Sequence, residues 1–171
     1  MKLTFKNDTF KILQIADTQE GRKVSPDTLA LISAALDREE PDLVVYSGDQ
    51  IWGRGFHGDV NQVRRVLKEL TAPVVERHLP FAICFGNHDR QVGLDNRAQF
   101  EIYKEIPGFI GEDTPGVDGV GNCVLEIADG DRPGYLLYLI DSHSSLKVGY
   151  DHVHQLSLIH ISEPTRPLYI S

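Results

Sequence analysis

The chain has 171 residues, 41% hydrophobic and 25% charged, with a formal net charge of −8. That length is enough for one domain with a core of its own, and the acidic balance, without a long Lys/Arg stripe, excludes generic nucleic-acid binding. Residues 1–7 are too short and polar for a signal peptide, and no run approaches the roughly 20 apolar residues of a membrane span, so a cytoplasmic protein without a membrane partner is expected.

Residues 1–7 read as a short edge strand that turns at Asn7 and Asp8. Residues 10–16 form the next strand, and the loop after it carries Asp17, Gln19 and Glu20. Ser25 then caps a helix with Pro26 at its first position and Asp27 in its first turn. Leu29, Ile32 and Leu36 give that helix one apolar face, and Pro41 ends it. Residues 43–47 are a further strand, followed by a glycine-rich loop, 51–58, with Trp52, Arg54 and His57. The Arg54 fork suits a phosphate, with a solvated arginine as the plain alternative. Residues 59–70 read as a helix with Val60, Val63, Leu67 and Leu70 inward, broken at Pro73 and continuing helically to His78.

Residues 79–85 form a short apolar run suited to a buried parallel strand. Residues 95–106 read as a helix with Phe100, Tyr103 and Ile106 in the core. Residues 107–121 hold five glycines and two prolines and form a long loop, with a lid as one reading. Residues 122–128 and 135–141 pair as a hairpin across 129–134. Cys84 and Cys123 lie in strands outside any Cys-x-x-Cys and read as buried free thiols. Asp141, Ser142 and His143 are sequence neighbours without a Gly-x-Ser-x-Gly elbow, which argues against a triad, and His152 and His154 read as surface residues.

Three of these strands end in chemistry. Residues 10–16 run into Asp17-Thr18-Gln19, residues 43–47 into Gly48-Asp49-Gln50, and residues 79–85 into Gly86-Asn87-His88-Asp89. Asp17 and Asp49 are 32 residues apart and Asn87 lies 38 beyond Asp49, close to one βαβ unit each time. The tips therefore meet on one sheet edge, where open α/β sheets bind ligands. Carboxylates, amide oxygen and imidazole together are what hard or borderline divalent metals require. Arg90, directly after, is placed to clamp a phosphate or to form a surface ion pair.

This ordered set resembles the first three motifs of the calcineurin-like metallophosphoesterases, purple acid phosphatases included, over about residues 10–155. The resemblance implies an α/β sandwich of mixed sheets flanked by helices, of which this chain is the N-terminal portion, and a phosphate-ester substrate. It implies two divalent metals, Mn, Fe or Zn, bridged by Asp49, with Asp17 and Gln19 on the first and Asn87 on the second. His88 would contact the phosphate and protonate the leaving group, and Asp89 would orient His88.

The sequence departs from that pattern in three places. Gln19 stands where the family has His, and its neutral amide is a poorer zinc or iron ligand than imidazole. Trp52 stands where the purple branch has Tyr, which removes the tyrosinate ligand. The later Gly-His-x-His is absent. Residues 156–171 resemble the in-frame translation of a transposase-type sequencing adapter, so the expected native segment is 1–155, continuing beyond Gln155. A degenerate, non-catalytic phosphate or phosphoprotein binder is the alternative function; substrate, metal identities and oligomeric state are left open by the sequence.

Overall fold

Short apolar strands separated by amphipathic helices are joined most directly in parallel, and the computed structural model, which describes residues 2–53, 55–144, 149 and 151–153, has that arrangement. Arg54, His154 and the tail 156–171 lie outside the described residues. In chain order the elements are β1 (Leu3–Thr4), β2 (Ile12–Ile15), α1 (Pro26–Glu39), β3 (Leu43–Ser47), α2 (Val60–Glu76), β4 (Phe81–Cys84), a 3-10 helix (Asp89–Val92), α3 (Asn96–Lys104), β5 (Cys123–Asp129) and β6 (Arg132–Leu139). Strands β2, β3 and β4 form a parallel sheet in that order, and β1, β5 and β6 form a second sheet. Both cysteines are free, and burial pushes the Cys84 thiol up to about 11.

Alternation along β3 builds two cores. Val44 and Tyr46, with Phe81 and Ile83 of β4, face the helices and pack with Ile32, Leu36, Val63, Leu67 and Leu70. Leu43 and Val45, with Ala82, face the second sheet and meet Leu3, Leu125, Ile127 and Leu139. Each of these fully buried Leu or Val side chains contributes roughly 1.5–3 kcal/mol relative to exposure. Two cores around one central strand fix its register, since a slip by one residue would exchange its faces. The register places Ile15 beside Tyr46 and Tyr46 beside Ile83, so the three strands end level.

The helices start where their caps require. The Ser25 hydroxyl accepts from Asp27 N, the Asp59 carboxylate from Asn61 N and Gln62 N, and the Asp95 carboxylate from Ala98 N. Helix α1 ends at Glu40, in the left-handed region at φ 45°.

Three expectations are corrected. Helix α2 runs unbroken through Pro73; the ring removes one amide, while Thr71 Oγ1 bonds back to Leu67 O and the buried face continues through Leu70, Pro73 and Val74. Val60, expected inward, is 41% exposed in the first turn of α2. The β5–β6 pairing extends through Asp129 and Arg132, leaving only Gly130 and Asp131 as the connection, with an irregularity at Ile127/Ala128 that accommodates Gly134. Residues 108–110 begin the long loop by running along the free edge of β4, where Phe81 N donates to Gly108 O and Ile110 N to Phe81 O. Phe109 then joins Phe81, Phe100 and Tyr103 in an aromatic cluster that ties this loop and α3 to the sheet.

Candidate metal centre

The two strand ends that carry Asp17 and Asp49 are zipped together beyond their strands. Asp17 N donates to Gly48 O at 3.1 Å, Gln19 N to Asp49 O at 2.9 Å, Glu20 N to Gln50 O at 3.0 Å and Trp52 N to Glu20 O at 2.9 Å. Thr18 Oγ1 adds a bond to Gln50 O at 2.8 Å. This ladder holds Asp17, Gln19 and Asp49 at φ 54°, 45° and 54°, in the left-handed region that side chains other than glycine rarely take. Such residues cost on the order of 1–3 kcal/mol each and persist where surrounding structure over-determines them.

The third strand end is pressed against the second through two glycines. A Cβ on Gly48 would lie 2.8 Å from Gly86 N, and one on Gly86 would lie 2.2 Å from Asp49 Oδ1 and 2.6 Å from Asp49 N. Asp49 Oδ1 accepts from His88 N at 2.8 Å. The strand ends that carry the expected residues Asp17, Gln19, Asp49, Asn87 and His88 thus meet at one edge of the parallel sheet. Arg90 is exposed, one residue beyond Asp89 on the 3-10 helix, and lines a cleft of about 320 Å³ with Asn96, Asp118, His143 and Ser144. A larger cleft, about 670 Å³, lies among β1, β5 and residues 109–112 and holds none of the expected site residues.

Asp89 does something other than orient His88. Its Oδ2 accepts from Gly86 N at 2.8 Å and Asp49 N at 2.9 Å, and its Oδ1 from Gln50 N at 2.8 Å and Ile51 N at 3.3 Å. His88 Nδ1, meanwhile, is buried without a hydrogen-bond partner. The expectation that Asp89 aligns the imidazole is therefore replaced: the carboxylate is turned into the backbone of both loops. Burial pushes its pKa up to about 6, against the lowering effect of the amides.

Two buried polar residues carry no motif in the sequence, Gln50 and Asn122. The Gln50 amide satisfies both ends only with its nitrogen on Asp89, donating to both oxygens at 3.0 Å while its oxygen accepts from Gly48 N at 2.7 Å. Asn122 Oδ1 accepts from Asp141 N, and Asp141 accepts from Val120 N and His143 N, locking the end of β6 to the long loop. Asp141 is thereby committed to backbone amides, which agrees with the reading against a triad. A polar residue adjoining a motif acid was the only sequence signal for Gln50; nothing marked Asn122.

Among the described residues no three His, Cys, Asp or Glu side chains cluster as a metal site. The donors that the sequence reading assigns to metals are two carboxylates, Asp17 and Asp49, with the amide oxygens of Gln19 and Asn87. That chemistry fits a hard, oxygen-preferring cation better than zinc.

The profile of the calcineurin-like phosphoesterases matches residues 10–159, and the chain belongs to that family. It is similar to Phosphatase DCR2 of Saccharomyces cerevisiae, 32% identical over 163 residues, a match that covers 82% of this chain and 28% of the relative. It is also similar to the Arabidopsis thaliana protein named Probable inactive purple acid phosphatase 14, at 27% over 149 residues, covering 74% and 36% of the two chains. Phosphodiesterase YaeI of Escherichia coli is 35% identical over 100 residues, or 55% of this chain and 34% of the relative. The chain spans about a third of the length of these relatives. Among the described residues no helix is long and apolar enough to cross a membrane.

Proposed function

We propose that the whole protein hydrolyses a phosphate ester at two divalent metals, with Asp17 and Gln19 on one, Asn87 on the other and Asp49 between them. The observation that carries this reading is the left-handed backbone at Asp17, Gln19 and Asp49, since strain of this kind concentrates where side chains must converge on a ligand. Because the chain spans about a third of its relatives, we read residues 1–155 as the N-terminal part of one metallophosphoesterase domain whose remaining ligands lie elsewhere in the protein.

When bound, the metals supply Lewis acidity toward phosphoryl oxygens and lower the pKa of a water at the site. The His88 amide holds the Asp49 carboxylate through Oδ1. His88 follows at the tip of β4, and its imidazole donates to the departing alkoxide oxygen. Arg90, and Arg54 outside the described residues, are the guanidinium groups assigned to the substrate phosphate.

Titrating the protein with Mn²⁺, Zn²⁺ and Fe²⁺, alongside hydrolysis of an aryl phosphate monoester and diester, tests this. Two sites with metal-dependent turnover are expected, and Asp49→Asn loses both; an Asp49→Asn protein with full stoichiometry and rate refutes the bridging role. One observation favours a second reading, a phosphate or phosphoprotein binder that does not hydrolyse: Gln19 supplies a neutral amide at a first-metal position, and one relative carries the name probable inactive. One weak metal site with tight phosphate binding and no turnover supports that alternative.

A further inference from the structure

Asp89 is 1% exposed, and its carboxylate gathers donors from two of the three strand ends that carry the centre, those of β3 and β4. Oδ2 is shared by the amides of Asp49 and Gly86, the first a proposed bridging ligand and the second the residue before Asn87. Oδ1 takes the Gln50 and Ile51 amides, and the Gln50 side chain reaches both oxygens. The arrangement is reciprocal. The His88 amide donates to the Asp49 carboxylate, while the Asp49 amide donates to the carboxylate of the next residue, Asp89. Gln99, itself 1% exposed, anchors the Asp89 carbonyl by donating to it at 3.0 Å, and donates to Leu94 O at 2.9 Å.

We propose that Asp89 is a positioning residue whose carboxylate, clasped between the Asp49 and Gly86 amides, sets the spacing of Asp49 from Asn87, the two groups assigned to the second metal. This rests on the dimetal reading above. A carboxylate is required because both oxygens must accept; an asparagine would turn its NH₂ group toward amide donors on one side. Adjacent glycines, 48 and 86, let the loops approach, but contact alone sets only a lower limit to their distance. The clasp sets the upper one.

The test is Mn²⁺ titration of the intact protein, with electron paramagnetic resonance of the manganese pair, whose coupling depends on intermetal distance. In Asp89→Asn the tighter Mn²⁺ is expected to change by no more than a few-fold, the second to weaken by about 10- to 100-fold, and the coupled signal to change or vanish. Gln50→Ala, which removes side-chain donors to Asp89 and no proposed ligand, shifts both in the same direction by less. Val66→Ala, on the buried face of α2, lowers the denaturation midpoint and leaves affinity and spectrum unchanged. Wild-type second-site affinity and coupling in Asp89→Asn, or a loss that only tracks its unfolded fraction, overturns the proposal. Should Asp89→Asn fail to fold, Gln50→Ala decides, and an unaltered spectrum and affinity there overturns it equally. A wild-type protein that binds fewer than two Mn²⁺ overturns the dimetal reading itself, before any variant is compared.

Discussion

Gly86→Ala isolates the packing of the centre from its chemistry. The backbone at Gly86 is not in the left-handed region, so alanine meets no conformational penalty there. The added methyl carbon would nevertheless sit 2.2 Å from Asp49 Oδ1, 2.7 Å from Asp49 Cγ and 2.6 Å from Asp49 N. Rotating the Asp49 side chain relieves the first two contacts at the expense of the His88 amide bond, but the third is to backbone and no rotamer removes it. The strand ends must part, and overpacking of this kind costs about 1–3 kcal/mol. Because the movement falls on a proposed bridging ligand, Mn²⁺ affinity should drop by about 10-fold or more, on the scale of second-layer perturbations. Gly21→Ala is the control: nothing lies within 4 Å of a Cβ there and its φ is also not positive. It should be neutral in both assays or stabilise by up to about 1 kcal/mol. Denaturant unfolding gives the stability difference and calorimetric titration the affinity. A Gly86→Ala protein matching wild type in both would refute the close approach of Gly86 to Asp49 and the argument built on it.

His88→Ala should lower turnover of the whole protein by about 10²–10⁴ while both metals stay bound, and a site emptied of metal would reassign His88 as a ligand. Gln19→His should tighten Zn²⁺ at the first site by about tenfold or more, since imidazole suits zinc better than an amide and His tolerates the left-handed φ of 45°; unchanged Zn²⁺ affinity would show that residue 19 does not ligate. Asp42 gives the pH dependence. Burial pushes its carboxyl up, but the Lys6 ammonium at 2.7 Å and the Lys11 amide at 2.9 Å outweigh burial and hold it below its ordinary value. A depressed folded pKa means stabilisation that is present above about pH 4 and lost as pH falls through the folded value. Asp42→Asn should therefore cost about 1 kcal/mol at pH 7 and progressively less in acid, and an equal cost at pH 7 and pH 2.5 in denaturant melts would sink the assignment.

What the sequence made legible were features fixed by a few neighbouring residues. Ser25-Pro26-Asp27 specifies a helix start in three letters, and the apolar runs ending in Asp17, Gly48-Asp49 and Gly86-Asn87 mark strand ends whose spacing permits only crossover connections. The departures come from long-range compensation. Pro73 reads as a break because a helix alone would lose a bond there; in the protein the buried face from Leu70 to Val74 holds the helix through it. Val60 has the right spacing for an inward residue, but it is the first residue of α2 and is 41% exposed, the buried face of the helix beginning at Val63. The hairpin connection is shorter than the sequence suggests because Pro133 and Gly134 look like turn residues, whereas a proline and a glycine are also what an edge strand accepts at an irregularity.

Asp89 is the most instructive case, because its residue type and position were legible and its role was not. A carboxylate following an imidazole invites the reading of an aspartate that orients a histidine, and sequence adjacency encourages it. Yet adjacent side chains in a tight turn diverge, and a buried carboxylate goes to the densest set of unsatisfied donors within reach. Here those donors are the amides at the ends of β3 and β4, which have left their strands and have no ladder partner of their own. Gly48 and Gly86 bring them close, Asp49 takes a left-handed turn that points its amide inward, and Asp89 collects them. The strain at Asp49 and the burial of Asp89 are two sides of one arrangement: each would be unfavourable alone, and together they hold the Asp49 carboxylate at the sheet edge, where its Oδ1 accepts from the His88 amide.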